Sequence, residues 1–159
     1  MSSMGHPCRQ AFGSLADDVC DLLATPRVSL CDSSDERCSF EVQLGGTRFL
    51  VQHGSRQTGT FTVFSHFGPV LEGERAAAYG RLLEINLVLA STKVGATFGV
   101  DGETGDVVFT FEGAIAEFDG DTLLDRLDDA AQLAGQWRAD RFVAASGGPL
   151  PAEGWLAWA

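Results

Sequence analysis

The stretch that most constrains this chain runs from Gly73 to Ser91, GERAAAYGRLLEINLVLAS. It opens with Glu74, Arg75 and Arg81. It closes on Leu82, Leu83, Ile85, Leu87, Val88, Leu89 and Ala90, with only Glu84 and Asn86 as polar breaks. At a helical pitch those side chains reach nearly all round the axis, whereas a surface helix shows one apolar stripe and one polar face. One side can lie on the chain's own core. Leaving about three or four large side chains wet on the other side forfeits roughly 1.5–3 kcal/mol each. The same helix from a second copy, packed across a two-fold axis, is the economical cover. The segment therefore reads as a dimer helix, with Leu82, Ile85, Asn86 and Leu89 as interface residues. A helix wholly internal to one subunit is the alternative.

The rest of the chain supplies one domain's worth of material: 159 residues, 45% of them hydrophobic and 21% charged, which is ordinary globular composition. The net charge of −11 repels phosphate backbones, so nucleic acid and anionic membranes are poor partners. The same charge keeps a protein with excess apolar surface in solution. The start, MSSMGHPCRQ, has no apolar run, and no segment approaches about 18 uninterrupted apolar residues; neither a secretory signal nor a membrane span is expected. A cytoplasmic location is the expectation. Cys8, Cys20, Cys31 and Cys38 form no CxxC pair and match no common zinc spacing. They read as reduced thiols, a Cys31–Cys38 disulfide being disfavoured in a reducing compartment.

Taken in order, residues 1–8 read as a flexible lead-in. Phe12, Leu15, Ala16, Val19, Cys20, Leu22 and Leu23 recur at helical spacing over Arg9–Ala24, and Pro26 ends that helix. Cys38, Phe40, Val42 and Leu44 alternate with polar residues as a strand, Gly45-Gly46 turns, and Thr47 to His53 returns. Ser55 to Gln57 turns again into a third strand, Gly59 to Phe67. Leu50 and Phe64 are large apolar residues on the otherwise polar faces of these strands. After the central helix, Ala96, Phe98 and Val100 form a fourth strand, Asp101 to Asp106 a turn, and Val107, Phe109 and Phe111 a fifth. Asp121 is the candidate N-cap of a last helix reaching to about Ala145, with Leu123, Leu127, Ala130, Ala134 and Trp137 on one face. Residues 146–159, SGGPLPAEGWLAWA, are an apolar tail. The expected architecture is an α+β domain over residues 9–145, in the order α-β-β-β-α-β-β-α with an antiparallel sheet.

Catalytic chemistry finds little to stand on. His53 and His66 lie on neighbouring strands, but no cysteine sits in a basic or glycine-rich setting that would activate it as a nucleophile. The pairs Asp17-Asp18 and Asp128-Asp129 are adjacent, so they do not share a helix face. The Asp101–Asp106 turn lacks the ligand ladder of a calcium loop, and no phosphate-binding glycine motif is present. No cofactor and no metal are expected. The chain reads as a binding protein, with a Cys/His-dependent enzyme as a remote rival and a small regulatory interaction domain as another.

Two segments read together carry a resemblance: LLEINLVLASTKVGATFGV (82–100) and DGETGDVVFTF (101–111). An LLxxN helix running into a small-residue strand, then an Asp-x-x-Thr-Gly turn and an apolar strand, resembles the class I type III secretion chaperones, the family of the Tir chaperone CesT. The matching residues are Leu82, Leu83, Asn86, Ala96, Phe98, Asp101, Thr104, Gly105 and Val107. The resemblance implies a cytoplasmic homodimer of a Gram-negative bacterium, joined through its second helix. It implies binding of the N-terminal region of secreted virulence effectors as an extended chain, with handover to the export machinery, the secretion ATPase being a further possible partner. Phe12, Leu15 and Val19 on the first helix, with Leu50 and Phe64 on the sheet, are the candidate effector contacts. The tail with Trp155, Leu156 and Trp158 is longer and more apolar than the family pattern.

Overall fold

The computed structural model describes residues 7–32, 37–54, 59–93 and 95–143. Three helices, α1 (Pro7–Leu22), α2 (Arg75–Leu89) and α3 (Gly120–Asp140), accompany six strands. These are β1 (Cys31–Asp32), β2 (Cys38–Leu44), β3 (Thr47–His53), β4 (Thr60–Pro69), β5 (Thr97–Val100) and β6 (Asp106–Ala114). They form one antiparallel sheet in the order β1-β2-β3-β4-β6-β5. The fold is the α+β arrangement expected, with the two-residue β1 added at one edge. The Ser55–Gln57 turn and the tail from 146 onward lie outside the described residues, as does most of the lead-in. Pro7 and Cys8, assigned to that lead-in, instead open α1, where proline's missing N–H is no loss.

Alternation along the strands sorts the two faces. Cys38, Phe40, Val42, Phe49, Val51, Phe61, Val63, Phe67, Phe109 and Phe111 point to one side and are buried there with α1 and α3. The Phe12 ring of α1 stands 5.3 Å from that of Phe40. The register that makes this possible is set at Gly45-Gly46, whose φ values of 54° and 74° suit a two-residue hairpin turn. Leu44 and Thr47 then close the ladder as partners. At the far end of β4 the pairing with β6 shifts between His66 and Gly68, a bulge that keeps Phe67 turned inward. α3 starts hard against α1: a Cβ on Gly120 would meet the Cβ of Asp18 at 2.7 Å.

The N-cap of α3 is Asp119, not Asp121 as the sequence suggested. Asp119 Oδ1 accepts the Thr122 N–H at 2.8 Å, and Asp121 falls inside the first turn. Both sites suit an acid, because the helix N-terminus offers free N–H groups and a positive end, so composition alone does not separate them. The bond from Thr122 holds the Asp119 carboxyl below its usual range, and N–H groups of Glu103 and Thr104 do the same for Asp101. A carboxylate depressed in the folded state adds stability above its unfolded pKa and loses it as pH falls through the folded value. Thermal unfolding followed between pH 6 and 3 is therefore expected to show a smaller acid loss of Tm in the Asp101→Asn/Asp119→Asn double variant than in wild type. Parallel curves would refute the assignment.

Candidate functional site

α2 packs beside β5 at the sheet's edge, and its apolar residues divide into two sets. Ala78, Leu82, Ile85 and Leu89 turn inward, each 5% exposed or less. Leu83 and Leu87 turn outward and are 70% and 77% exposed, on one stripe with Ala76, Gly80 and Ala90. The helix is thus apolar all round, as its composition implied, but one chain encloses only half of it. This corrects the residue assignment. Leu82, Ile85 and Leu89, expected to face a partner, belong to the chain's own core. Without knowing on which side the sheet lies, circumference arguments do not tell the two apolar sides apart.

Asn86 has a third role. β5 is an edge strand, and the Asn86 carboxamide takes both backbone groups on the free side of Phe98. Its Nδ2 donates to the Phe98 carbonyl at 2.9 Å, and its Oδ1 accepts the Phe98 N–H at 2.7 Å. A side-chain amide mimics here a neighbouring strand and blunts an edge that would otherwise template association. The asparagine of the LLxxN pattern is therefore engaged within its own chain, half-buried.

On the sheet face away from the helices, Leu50 and Phe64 are direct cross-strand partners, both half-buried. Glu41 stands opposite Leu50 on the other side, and Thr110 opposite Phe64. The row Glu41–Leu50–Phe64–Thr110 thus places two large apolar side chains at the middle of a face that also carries Gln43, Arg48, Gln52, Thr62, Glu112, His66 and Val108. The other three expected contacts are not available there. Phe12, Leu15 and Val19 are buried under the inner face, at 0%, 3% and 0% exposure. They form the stripe that α1 needs for its own packing, and the solvent side of α1 carries Gln10, Asp18 and Asp21 instead.

The histidines do not converge. His53 is buried, its Nδ1 2.7 Å from the Thr60 carbonyl, while exposed His66 lies 3.6 Å from Asp106 at the other end of the β3–β4 ladder. Cys8 and Cys20 are free thiols, and the β1–β2 register sets Cys31 opposite Ser39. Among the described residues no three His, Cys, Asp or Glu side chains cluster as metal ligands, and no helix is long and apolar enough to cross a membrane.

A family-level match, to the Tir chaperone protein (CesT) family, runs over residues 22–138. The chain belongs to that family. Its fold agrees with this CesT membership. A chaperone–effector structure, the HopA1–SchA complex, superposes with a TM-score of 0.61 at 14% identity, covering 81% of this chain and 94% of the other. The ExsC–ExsE complex gives 0.64 at 14% identity, with 82% and 92% covered. The Yersinia pestis type III secretion chaperone SycH, in complex with a fragment of YscM2, gives 0.57 at 15% identity, with 79% and 98% covered. Against curated protein sequences the chain has no match. In this CesT-family fold the LLxxN helix is α2, and the Asp-x-x-Thr-Gly turn joins β5 to β6, where Asp101 Oδ1 accepts the N–H groups of Glu103 and Thr104.

Proposed function

We propose that this protein is a cytoplasmic type III secretion chaperone of a Gram-negative bacterium, acting as a homodimer that holds the N-terminal region of one or more effectors as an extended chain. Family membership supports the chaperone role. The observation that carries the binding site is the Leu50–Phe64 pair, two large apolar side chains set opposite one another on the sheet face that the helices leave open. An unfolded segment loses chain entropy when it binds, so it must gain apolar and backbone contacts over a long path. A flat face with an apolar centre and a hydrogen-bonding surround of Gln43, Gln52 and Thr62 suits such a path, the polar residues meeting the cargo backbone.

The dimer rests on Leu83 and Leu87. Their stripe on α2 is contiguous and carries no charge, and Val100 on neighbouring β5 adds exposed apolar surface beside it. A second copy of α2 across a two-fold axis covers both stripes at once. Two chains presenting one open sheet face each then offer a cargo two apolar stations. Handover to the export machinery, the secretion ATPase included, follows as the last step of this role.

The test is co-purification of effectors from the native host, with bound proteins read by mass spectrometry. Leu50→Asp with Phe64→Asp is expected to weaken cargo binding about a hundred-fold or more, since two buried apolar side chains contribute roughly 1.5–3 kcal/mol each and about 1.4 kcal/mol is tenfold. The double variant should keep the wild-type mass in solution. Undiminished co-purification would remove this face from the account.

A further inference from the structure

The outward stripe of α2 is uneven along its length. Ala76, Gly80, Leu83, Leu87 and Ala90 follow one another in steps of four and three, the spacing at which two helices mesh along a seam. The first part of the stripe is small residues, and the second part carries the two leucines, 70% and 77% exposed. Beside the small part lies a groove of about 370 Å³, floored by Ala76, Ala77 and Gly80 and walled by Phe142 and Val143 where the chain leaves α3. A Cβ added at Gly80 would meet nothing within 4 Å, so among the described residues nothing covers that floor.

The wall is held rigidly. Arg141 and Phe142 both adopt left-handed backbone, with φ of 56° and 57°, which side-chain-bearing residues keep only where their surroundings over-determine it. The Phe142 N–H donates to Asp140 Oδ1 at 2.8 Å, and its ring is buried against Trp137 and Phe98. Its carbonyl accepts Arg81 Nε from α2 at 3.2 Å, and Arg81 Nη1 is bound to Glu84 at 2.9 Å. A groove formed in advance loses little entropy on being filled.

Two registers let a pair of antiparallel α2 helices mesh along this stripe. With the two-fold axis level with Ile85, Leu83 meets the partner's Leu87 and Gly80 meets the partner's Ala90. Large then lies on large, small on small, and both grooves stay open. Slid by about 10 Å, at 1.5 Å per residue, the axis passes between Arg81 and Leu82. Leu83 then meets the partner's Gly80, and Leu87 the partner's Ala76. Large lies on small at every level, and the leucines come down on the groove floor. Apolar walls that face a void lose their contacts outright, which favours the second register.

We propose that two copies of this chain pair in that second register, each inserting Leu83 and Leu87 into the other's groove between α2 and the end of α3. Phe142 and Val143 thereby join the interface. The inference rests on the homodimer reading and adds to it the register and the side chains that interlock.

The test measures dimer dissociation of the full chain by analytical ultracentrifugation. Gly80→Leu fills the groove from within, and the open space lets the subunit itself accept it; overpacking should weaken the dimer about tenfold or more. Leu83→Ala alone should weaken it as well. Together they exchange knob and hole, so the double variant is expected within a few-fold of wild type instead of showing both losses. Ala76→Cys with Leu87→Cys gives a second readout, a covalent dimer on mild oxidation that the natural cysteines alone do not form. The two positions lie about 16 Å apart along one helix, too far to bond within it. A dimer that Gly80→Leu leaves as tight as wild type, and that does not cross-link through 76 and 87, overturns this register while the dimer itself stands. A wild-type chain that stays monomeric overturns the dimer reading, and the register with it.

Discussion

Replacing Leu83 and Leu87 together by aspartate is expected to convert the proposed dimer, of about 34 kDa or twice the 16.9 kDa chain, into a folded monomer. Both side chains are more than two-thirds exposed in the single chain, so the subunit's own packing does not depend on them. Across a two-fold axis four such leucines are covered. At roughly 1.5–3 kcal/mol each they contribute about 6–12 kcal/mol to association, an upper bound before the entropy of pairing is subtracted. At about 1.4 kcal/mol per tenfold, their loss weakens the dimer by about four orders of magnitude, and burying four new carboxylates adds to that. Light scattering coupled to size exclusion gives the mass, and far-UV circular dichroism the fold. The inward set behaves differently: Ile85→Asp or Leu89→Asp places a charge in the core and is expected to unfold the subunit. A wild-type chain that is monomeric at micromolar concentration, or a double variant that stays dimeric, refutes this interface.

Asn86→Leu is expected to be the most damaging single change on α2 that conserves volume. It removes both partners of Phe98, whose side chain is buried at the β5 edge. An unmet buried backbone group costs about 1–3 kcal/mol, so the pair amounts to roughly 2–6 kcal/mol, a large share of the 5–15 kcal/mol that holds a typical domain folded. Asn86→Asp keeps the acceptor for the Phe98 N–H but loses the donor to its carbonyl, and should fall between wild type and Asn86→Leu. Urea unfolding midpoints order the three proteins. The freed edge should also raise aggregation on partial unfolding. Equal midpoints for Asn86→Leu and wild type would mean that Phe98 does not need the amide, and the edge-closing role would go.

The strands were legible because their period is two and most inward positions in β2, β3, β4 and β6 are Val, Phe or Cys, with Thr47, His53, Ser65 and Gly113 as the exceptions. Gly45-Gly46 marked the hairpin because few other dipeptides take positive φ twice. The Leu50–Phe64 pair was legible only in part. Each residue stood out as apolar on a polar face, yet their meeting depends on the β3–β4 register, which the two strands' own patterns do not set. α1 misled for the opposite reason. Phe12, Leu15 and Val19 looked surplus, but α3 crosses α1 closely enough for Gly120 to touch Asp18, and the sheet beneath takes the whole apolar stripe.

By itself the sequence determined the α+β class, the order of the helices and longer strands, and the presence of a helix with more apolar surface than one side of a small sheet can cover. Local periodicity and turn chemistry carry that information, because they depend on residues a few positions apart. Which side of α2 is left over was decided only in three dimensions. Leu82, Ile85 and Leu89 go inward where Asn86 pins the helix to the edge of β5 at Phe98, twelve residues along the chain, and with those two bonds in place Leu83 and Leu87 face the open.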